Sequence, residues 1–299
     1  MRNVITPKDI YSVEAVKKFG ARPSGAYMEI GDDLYCFKPD ELDDAAEFEA
    51  ASSEIDSSQF ELGRLRGLPA PRGPLPEQWD KIHGAAFLDF NRYFRQSSPL
   101  FDRRPVRSST MSPSSYFAAS RAAARLDTDA LDLMDLLKHL HRIVGFNSHH
   151  SGVSGQFRAV QVYISTNNDR RSASFIPPSC DIMYTCLEHL EQFYERQINT
   201  GSARLVDIIR FGYQLCAIHP FRDANARVVH LLYEILLRKN GFIGIGPLFM
   251  RYVMWKYHFP HAILFRQVVR DSEWGEYIKF FAAILRESAI STRNWYAIS

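Results

Sequence analysis

The stretch His219-Pro220-Phe221-Arg222-Asp223-Ala224-Asn225-Ala226-Arg227 lies between the two most apolar helical runs of the chain. Before it, Ala203–Cys216 carries Leu205, Ile208, Ile209, Gly212 and Leu215 at helical spacing. After it, Val228–Leu237 is another apolar helix, closed by Asn240-Gly241 as a C-cap. A His, an Asp, an Asn and an Arg crowded between two buried helices are unusual for a connector. Small residues at 224 and 226 let the backbone approach an anion, and the N–H groups at the start of the next helix can cradle it. Arg227 adds a forked, charge-assisted contact. Asp223 would repel the same anion unless a cation lies between, and Mg²⁺ binds through one or two carboxylates plus substrate phosphates. His219, with an ordinary pKa of roughly 6.5, can take a proton from an attacking hydroxyl.

Working outward, Asp181–Tyr194 and Leu126–Val144 also repeat apolar residues at helical spacing, and helices are expected near Met250–His258 and Trp274–Leu285. Phe157–Ser165 alternates through Val160, Val162 and Ile164 as a strand, with Ser174–Ile176 as its return and Pro177-Pro178 as its end. Upstream, Tyr27–Ile30 and Leu34–Phe37 flank a Gly31-Asp32-Asp33 turn and read as a hairpin. Ser12–Phe19, Pro39–Leu68 (with Leu42, Ala46, Phe48 and Ile55 inward) and Trp79–Phe94 read as helical, and residues 96–115 as a loop. The class is all-α with one small hairpin.

The 299 residues have a net charge of +2, which argues against a broad basic face for nucleic acid. Cys36, Cys180, Cys186 and Cys216 form no CxxC pair, so neither a zinc ribbon nor a disulfide framework is expected. No apolar run near the N-terminus reads as a signal peptide, and none approaches the roughly 20 residues of a membrane span. A cytoplasmic protein is expected, with export by a route lacking a cleavable signal left open. His149-His150 read as a solvated loop, and Tyr252, Trp255 and Tyr257 as core aromatics.

The loop resembles the signature of the Fic (Fido) family, written HPFx(D/E)(G/A)N(G/K)RxxR. Ser154–Ile164 and Phe175–Pro178 resemble the family's target-binding flap, Val206–Ile218 the helix that enters the motif, and Trp274–Leu285 the closing helix. The resemblance implies an all-α Fic-type helical bundle with a small β-hairpin flap, over residues 116–290, behind an N-terminal helical extension of residues 1–115 with a regulatory role. It implies transfer of AMP from Mg-ATP to a Ser, Thr or Tyr hydroxyl of a target protein, self-modification included. His219 would be the general base and Phe221 the anchor of the loop. Asp223 would hold Mg²⁺. Ala224, Asn225 and Ala226 would form an anion hole, with the Asn225 side chain in it, and Arg227 would bind the leaving pyrophosphate. Tyr257 would lie beside the nucleobase. Val162, Tyr163, Ile164 and Phe175 would clamp the target by strand addition. The expected partners are thus a nucleotide and a protein substrate, with no nucleic acid and no membrane, and a homodimer is left open.

Three positions depart from the signature. Ala224 takes its other permitted residue; Ala226 stands where Gly or Lys is usual; His230 replaces the second Arg, which the family uses on the γ-phosphate. If residue 226 takes φ > 0, its Cβ costs on the order of 1 kcal/mol. Without the second Arg, a triphosphate donor would bind roughly tenfold to a hundredfold more weakly. Donors of UMP, GMP or phosphocholine are therefore a second reading, and a catalytically weak nucleotide- or partner-binding module a third. The family's inhibitory (S/T)xxxE(G/N) helix has its nearest counterpart in Ser52-Ser53-Glu54-Ile55-Asp56-Ser57. There Ser52 and Asp56 are the candidate inhibitory residues, Asp56 being expected against His230.

Overall fold

In the computed structural model, residues 25–31, 34–43, 48–68, 113–145, 154–164, 173, 175–244, 248, 250–272 and 274–296 are described. Antiparallel strands β1 (Gly25–Gly31) and β2 (Leu34–Pro39) make the expected hairpin. Helices follow in the order α1 (Ser52–Gly63), α2 (Pro113–Ala123), α3 (Leu133–Gly145), α4 (Cys180–Phe193), α5 (Leu205–Ile218), α6 (Asn225–Lys239), α7 (Met250–Lys256), α8 (His258–Asp271) and α9 (Trp274–Tyr296). The all-α expectation holds, with the hairpin as an appendage.

Helix α5 is the axis of the bundle. Apart from Cys216 it is buried along its whole length, as a helix apolar on nearly every side must be. It packs against α4, α6, α9 and β2. Its contact with α6 is close because Gly212 has no side chain: a Cβ there would meet the Tyr233 Oη at 2.0 Å, where that hydroxyl donates to the Ile209 carbonyl at 3.0 Å. The two helices that bracket the His219–Arg227 loop are thereby held at fixed separation. α3 and α2 cover the other side of α6, and α1 lies along α9.

Several sequence readings need correction. The helix through Pro39–Leu68 shortens to α1, preceded by the 3-10 turn Glu49–Ala51. Distant hydrogen-bond partners take the chain before it. The Phe37 N–H bonds the Ile176 carbonyl at 2.9 Å, and Gln214 and Arg210 take the carbonyls of Asp40 and Asp43 at 2.6 and 2.9 Å. Such bonds hold the segment outside a helical ladder. Leu42 is buried, and Phe48 and Ile55 pack against the core. The helix read from Leu126 begins only at Leu133, where Asp132 caps the Asp135 N–H at 2.7 Å. A separate helix, α8, follows α7; Pro260 lies in its first turn, where no N–H is needed. α9 runs to Tyr296 rather than Leu285. α2 starts on Pro113. Residues 12–19, 79–94 and 149–150 lie outside the described residues.

Among the described residues, the strand read at Phe157–Ser165 shows one antiparallel bridge, Ile164 with Phe175. Gln161 gives its side-chain amide to the Val162 and Pro177 carbonyls, at 3.1 and 2.9 Å. Pro177 and Pro178 have no N–H to offer a ladder, so pairing cannot run on past Phe175. The four cysteines are unpaired, and no described helix is long and apolar enough to cross a membrane.

Candidate active site

The loop starts where α5 stops. His219 caps that helix in a left-handed conformation, φ 53°, with its N–H on the Leu215 carbonyl at 3.1 Å. The turn swings the imidazole back over α5, where Nδ1–H donates to the Cys216 carbonyl at 3.3 Å. That bond selects the tautomer with Nε2 unprotonated, which is the form of a base. Burial is the main influence on the ring and pushes its pKa down to about 4; Arg158 adds to this, while the Cys216 carbonyl and Asp223 oppose it. The imidazole is therefore neutral at ordinary pH.

Two residues with no place in the signature hold the loop from outside. Arg158 is buried and donates Nε–H to the His219 carbonyl at 2.9 Å, while its own N–H bonds the Pro220 carbonyl at 2.9 Å. Its other guanidinium donors go to Val160, Cys180 and Pro178. His141, on α3, accepts from the Gly155 N–H at 2.8 Å through Nδ1 and so donates Nε2–H to the Asp223 carbonyl at 3.2 Å. Its ring stacks on Phe221, which is fully buried, as its expected anchoring role requires. Sequence reasoning missed both residues. The available signal was a polar side chain on an apolar stripe: His141 falls among Leu137, Leu140 and Val144.

Inside the loop, the Asn225 side chain bonds the backbone of the turn itself. Its Oδ1 accepts from the Phe221 N–H at 2.9 Å and its Nδ2 donates to the Phe221 carbonyl at 2.8 Å, which staples the turn. The left-handed alanine is Ala224, φ 66°, and not Ala226. Ala226 is exposed in the first turn of α6, whose unbonded N–H groups are of the kind that can receive an anion. Asp223 accepts the Ala224 N–H at 2.6 Å and pairs with Arg227 at 3.1 Å. Its carboxylate is 38% exposed, whereas Arg227 is buried. The structure thus brings His219, Asp223 and Arg227 to one short loop.

The other expected residues lie further off. His230 is buried on α6 with its Nδ1 unbonded, and its pKa falls to about 3, chiefly through burial and then through Arg251 and His261. Among the described residues no hydrogen bond or ion pair joins it to Asp56. Asp56 instead lines a surface groove with Phe60, Arg286 and Ile290, while Glu54 pairs with Arg286 at 2.8 Å. The Ser52 hydroxyl bonds the Glu49 carbonyl. Tyr257 stands edge-on to Phe280, at the α7–α8 junction. In the flap, Ile164 and Phe175 exchange N–H···O bonds of 2.9 and 3.4 Å, and Val162 and Tyr163 are half-buried beside them. Phe175 does not face a target: its ring is buried against Phe265, centroids 5.2 Å apart, and anchors the flap to α8.

An imidazole on a left-handed turn, followed by the free N–H groups of a helix start, thus lies at the centre of the bundle. The Fic/DOC family model matches residues 130–237, from just before α3 to near the end of α6. The chain carries a Fic/DOC domain. Two curated relatives, each named Protein adenylyltransferase Fic, align over 158 residues. That of Aedes aegypti is 25% identical over 52% of this chain and 28% of its own length. That of Culex quinquefasciatus is 26% identical over 52% and 27%. The chain thus spans under a third of the length of these relatives. Among solved structures, a Fic family protein from Desulfovibrio desulfuricans G20 superposes with a TM-score of 0.56 at 16% identity, covering 85% of this chain and 77% of that one. Fic-1 of C. elegans gives 0.53 at 15% identity, covering 83% and 72%. At such identities these two likenesses establish the fold.

Proposed function

We propose that this chain transfers AMP from Mg-ATP to a Ser, Thr or Tyr hydroxyl of a protein. The observation that carries the reading is the His219 tautomer: Nδ1–H is committed to Cys216, which leaves Nε2 as the base beside the loop of Asp223 and Arg227. His219 removes the hydroxyl proton as the oxygen attacks the α-phosphorus. The bond to the bridging oxygen breaks in line, pyrophosphate leaves, and a phosphodiester joins AMP to the target. The α6 N–H groups and Arg227 stabilise the charge that develops on the phosphates.

Asp223 is the residue that would hold Mg²⁺. Its half-exposed carboxylate fits an ion that takes one or two carboxylates and completes its shell with phosphate oxygens and water. Once bound, the ion neutralises charge on the α- and β-phosphates. The target backbone would add alongside Val162–Ile164. The names of the two curated relatives support AMP as the transferred group.

The test is transfer of label to candidate protein targets from a panel of donors: ATP, UTP, GTP and a CDP-linked choline. Labelling from ATP that His219→Ala lowers by at least ~10²-fold, with ATP affinity kept within about threefold, is expected. Labelling only from another donor would replace AMP with that group, a reading favoured by the neutral His230. Labelling unaffected by His219→Ala would rule out the mechanism.

A further inference from the structure

The guanidinium of Arg158 bonds three separate stretches of chain. Nε–H donates to the His219 carbonyl at 2.9 Å, on the turn that carries the imidazole. Nη1 donates to the Val160 carbonyl at 3.2 Å, on the outgoing leg of the flap, and Nη2 to the Pro178 carbonyl, on the returning leg. Nη1 also meets Cys180 Sγ at 3.4 Å, on the first residue of α4. The Arg158 N–H takes the Pro220 carbonyl at 2.9 Å, so one residue grips two successive carbonyls of the turn. Beyond this junction the Ile164–Phe175 bridge ties the two legs together.

Two observations set Arg158 apart from an ordinary core residue. It is 3% exposed, and among the described residues no carboxylate pairs with it; its acceptors are carbonyls and a thiol. Burial disfavours its charge, and a buried cation without an anion costs stability that a neutral side chain would not. The turn it grips is itself strained. His219 has φ 53° and ψ 58°, a left-handed conformation that costs a side-chain-bearing residue roughly 1–2 kcal/mol. Such a conformation persists where its surroundings fix it. A costly cation thus holds a costly turn, and that turn aims the imidazole.

We propose that Arg158 is a positioning residue: bonded at once to both legs of the flap and to the base-bearing turn, it holds the flap and the His219 imidazole in one register. This rests on the reading of His219 as the base and of Val162–Ile164 as the strand beside which a target adds. A hydroxyl presented on the flap then meets Nε2 at a distance set by Arg158, and small errors in such a distance are costly to rate. The charge of Arg158 also opposes protonation of the ring.

The experiment compares the full chain with Arg158→Gln, Arg158→Lys, Ile164→Pro and the double variant Arg158→Gln/Ile164→Pro. The first readout is imidazole nitrogen NMR without ligand, with the His219 signals assigned by their loss in His219→Ala. The wild type should show one tautomer, protonated on Nδ1. Arg158→Gln should give a mixture of tautomers, and Arg158→Lys, which keeps the charge but not the fork, an intermediate spectrum. Ile164→Pro removes the N–H that bonds the Phe175 carbonyl, so it opens the bridge. It should shift the His219 signals in the wild type, and by less than about half as much once Arg158 is Gln. The second readout is hydrolysis of Mg-ATP to AMP and pyrophosphate, in which water takes the place of the target hydroxyl. Arg158→Gln should slow it about tenfold or more, with ATP affinity kept within about threefold. Thermal unfolding identifies any variant that misfolds, and Arg158→Lys keeps the test decisive if Arg158→Gln does. An unchanged His219 spectrum in a folded Arg158 variant, or equal effects of Ile164→Pro with and without Arg158, would overturn the proposal. If the spectra respond as expected while the wild type neither hydrolyses ATP nor labels a protein, the transferase reading fails and the positioning of His219 by Arg158 stands.

Discussion

The imidazole of His141 lies flat against the ring of Phe221, with centroids 4.1 Å apart and planes 4° apart. Phe221 belongs to the loop and His141 to α3, so this stack fixes the height of the loop over the bundle. The two hydrogen bonds of His141, to Gly155 and Asp223, fix its position sideways.

His141→Phe keeps the stack and removes both bonds. It leaves a buried N–H and a carbonyl without partners, which costs about 1–3 kcal/mol. Urea unfolding should show this as a lower midpoint with an unchanged slope. Because the Asp223 carbonyl is released, the transfer rate should fall more than tenfold, as for other small displacements of reacting groups. A variant as stable and active as the wild type would show that the stack alone positions the loop.

The two alanines of the loop should respond in opposite ways to glycine. Ala224 has φ 66°, where a Cβ costs about 1 kcal/mol, so Ala224→Gly should be neutral or raise the melting temperature. Ala224→Val, a β-branched residue in the same conformation, should lower it. Ala226 is helical and exposed, so Ala226→Gly should lower stability by about 0.5–1 kcal/mol. Thermal unfolding of the three variants checks this, and a gain at 226 with a loss at 224 would contradict the assigned backbone.

Acid should unfold the protein early without first disabling the base. His219 and His230 have folded pKa values of about 4 and about 3, below the roughly 6.5 of an unfolded His. As pH falls below 6.5 the unfolded chain takes up protons that the folded one refuses. Each group then removes stability at up to ~1.4 kcal/mol per pH unit, levelling off near its folded value. His141, also depressed by burial, acts in the same direction. Glu234, raised to about 7, acts oppositely: its contribution is present below the unfolded value and is lost as pH rises through about 7. Stability should therefore peak at about pH 7, and His230→Leu should make the acid limb shallower. Over the range where the protein stays folded, kcat should show no midpoint near 6.5, since Nε2 of His219 remains unprotonated. Melting temperature and kcat against pH decide both points.

The sequence alone determined the bundle and its chemical centre. Periodicities of 3.6 residues placed α4, α5 and α6, because each buries one broad apolar face, and that pattern is local. The crowding of His219, Asp223 and Arg227 between two buried helices marked the site for the same reason. The Gly31-Asp32-Asp33 turn marked the hairpin. Only the tertiary structure decided the rest. The Asn225 staple, the left-handed turn at Ala224 rather than Ala226, the props from His141 and Arg158, and the separation of Asp56 from His230 depend on where distant chain segments meet. So does the bond that Gln161 gives the Pro177 carbonyl beside the Ile164–Phe175 bridge, across 16 residues that no periodicity encodes. A hydrophobic face leaves its spacing in the chain, whereas a buried polar atom leaves only its residue type. Its partner is chosen by packing.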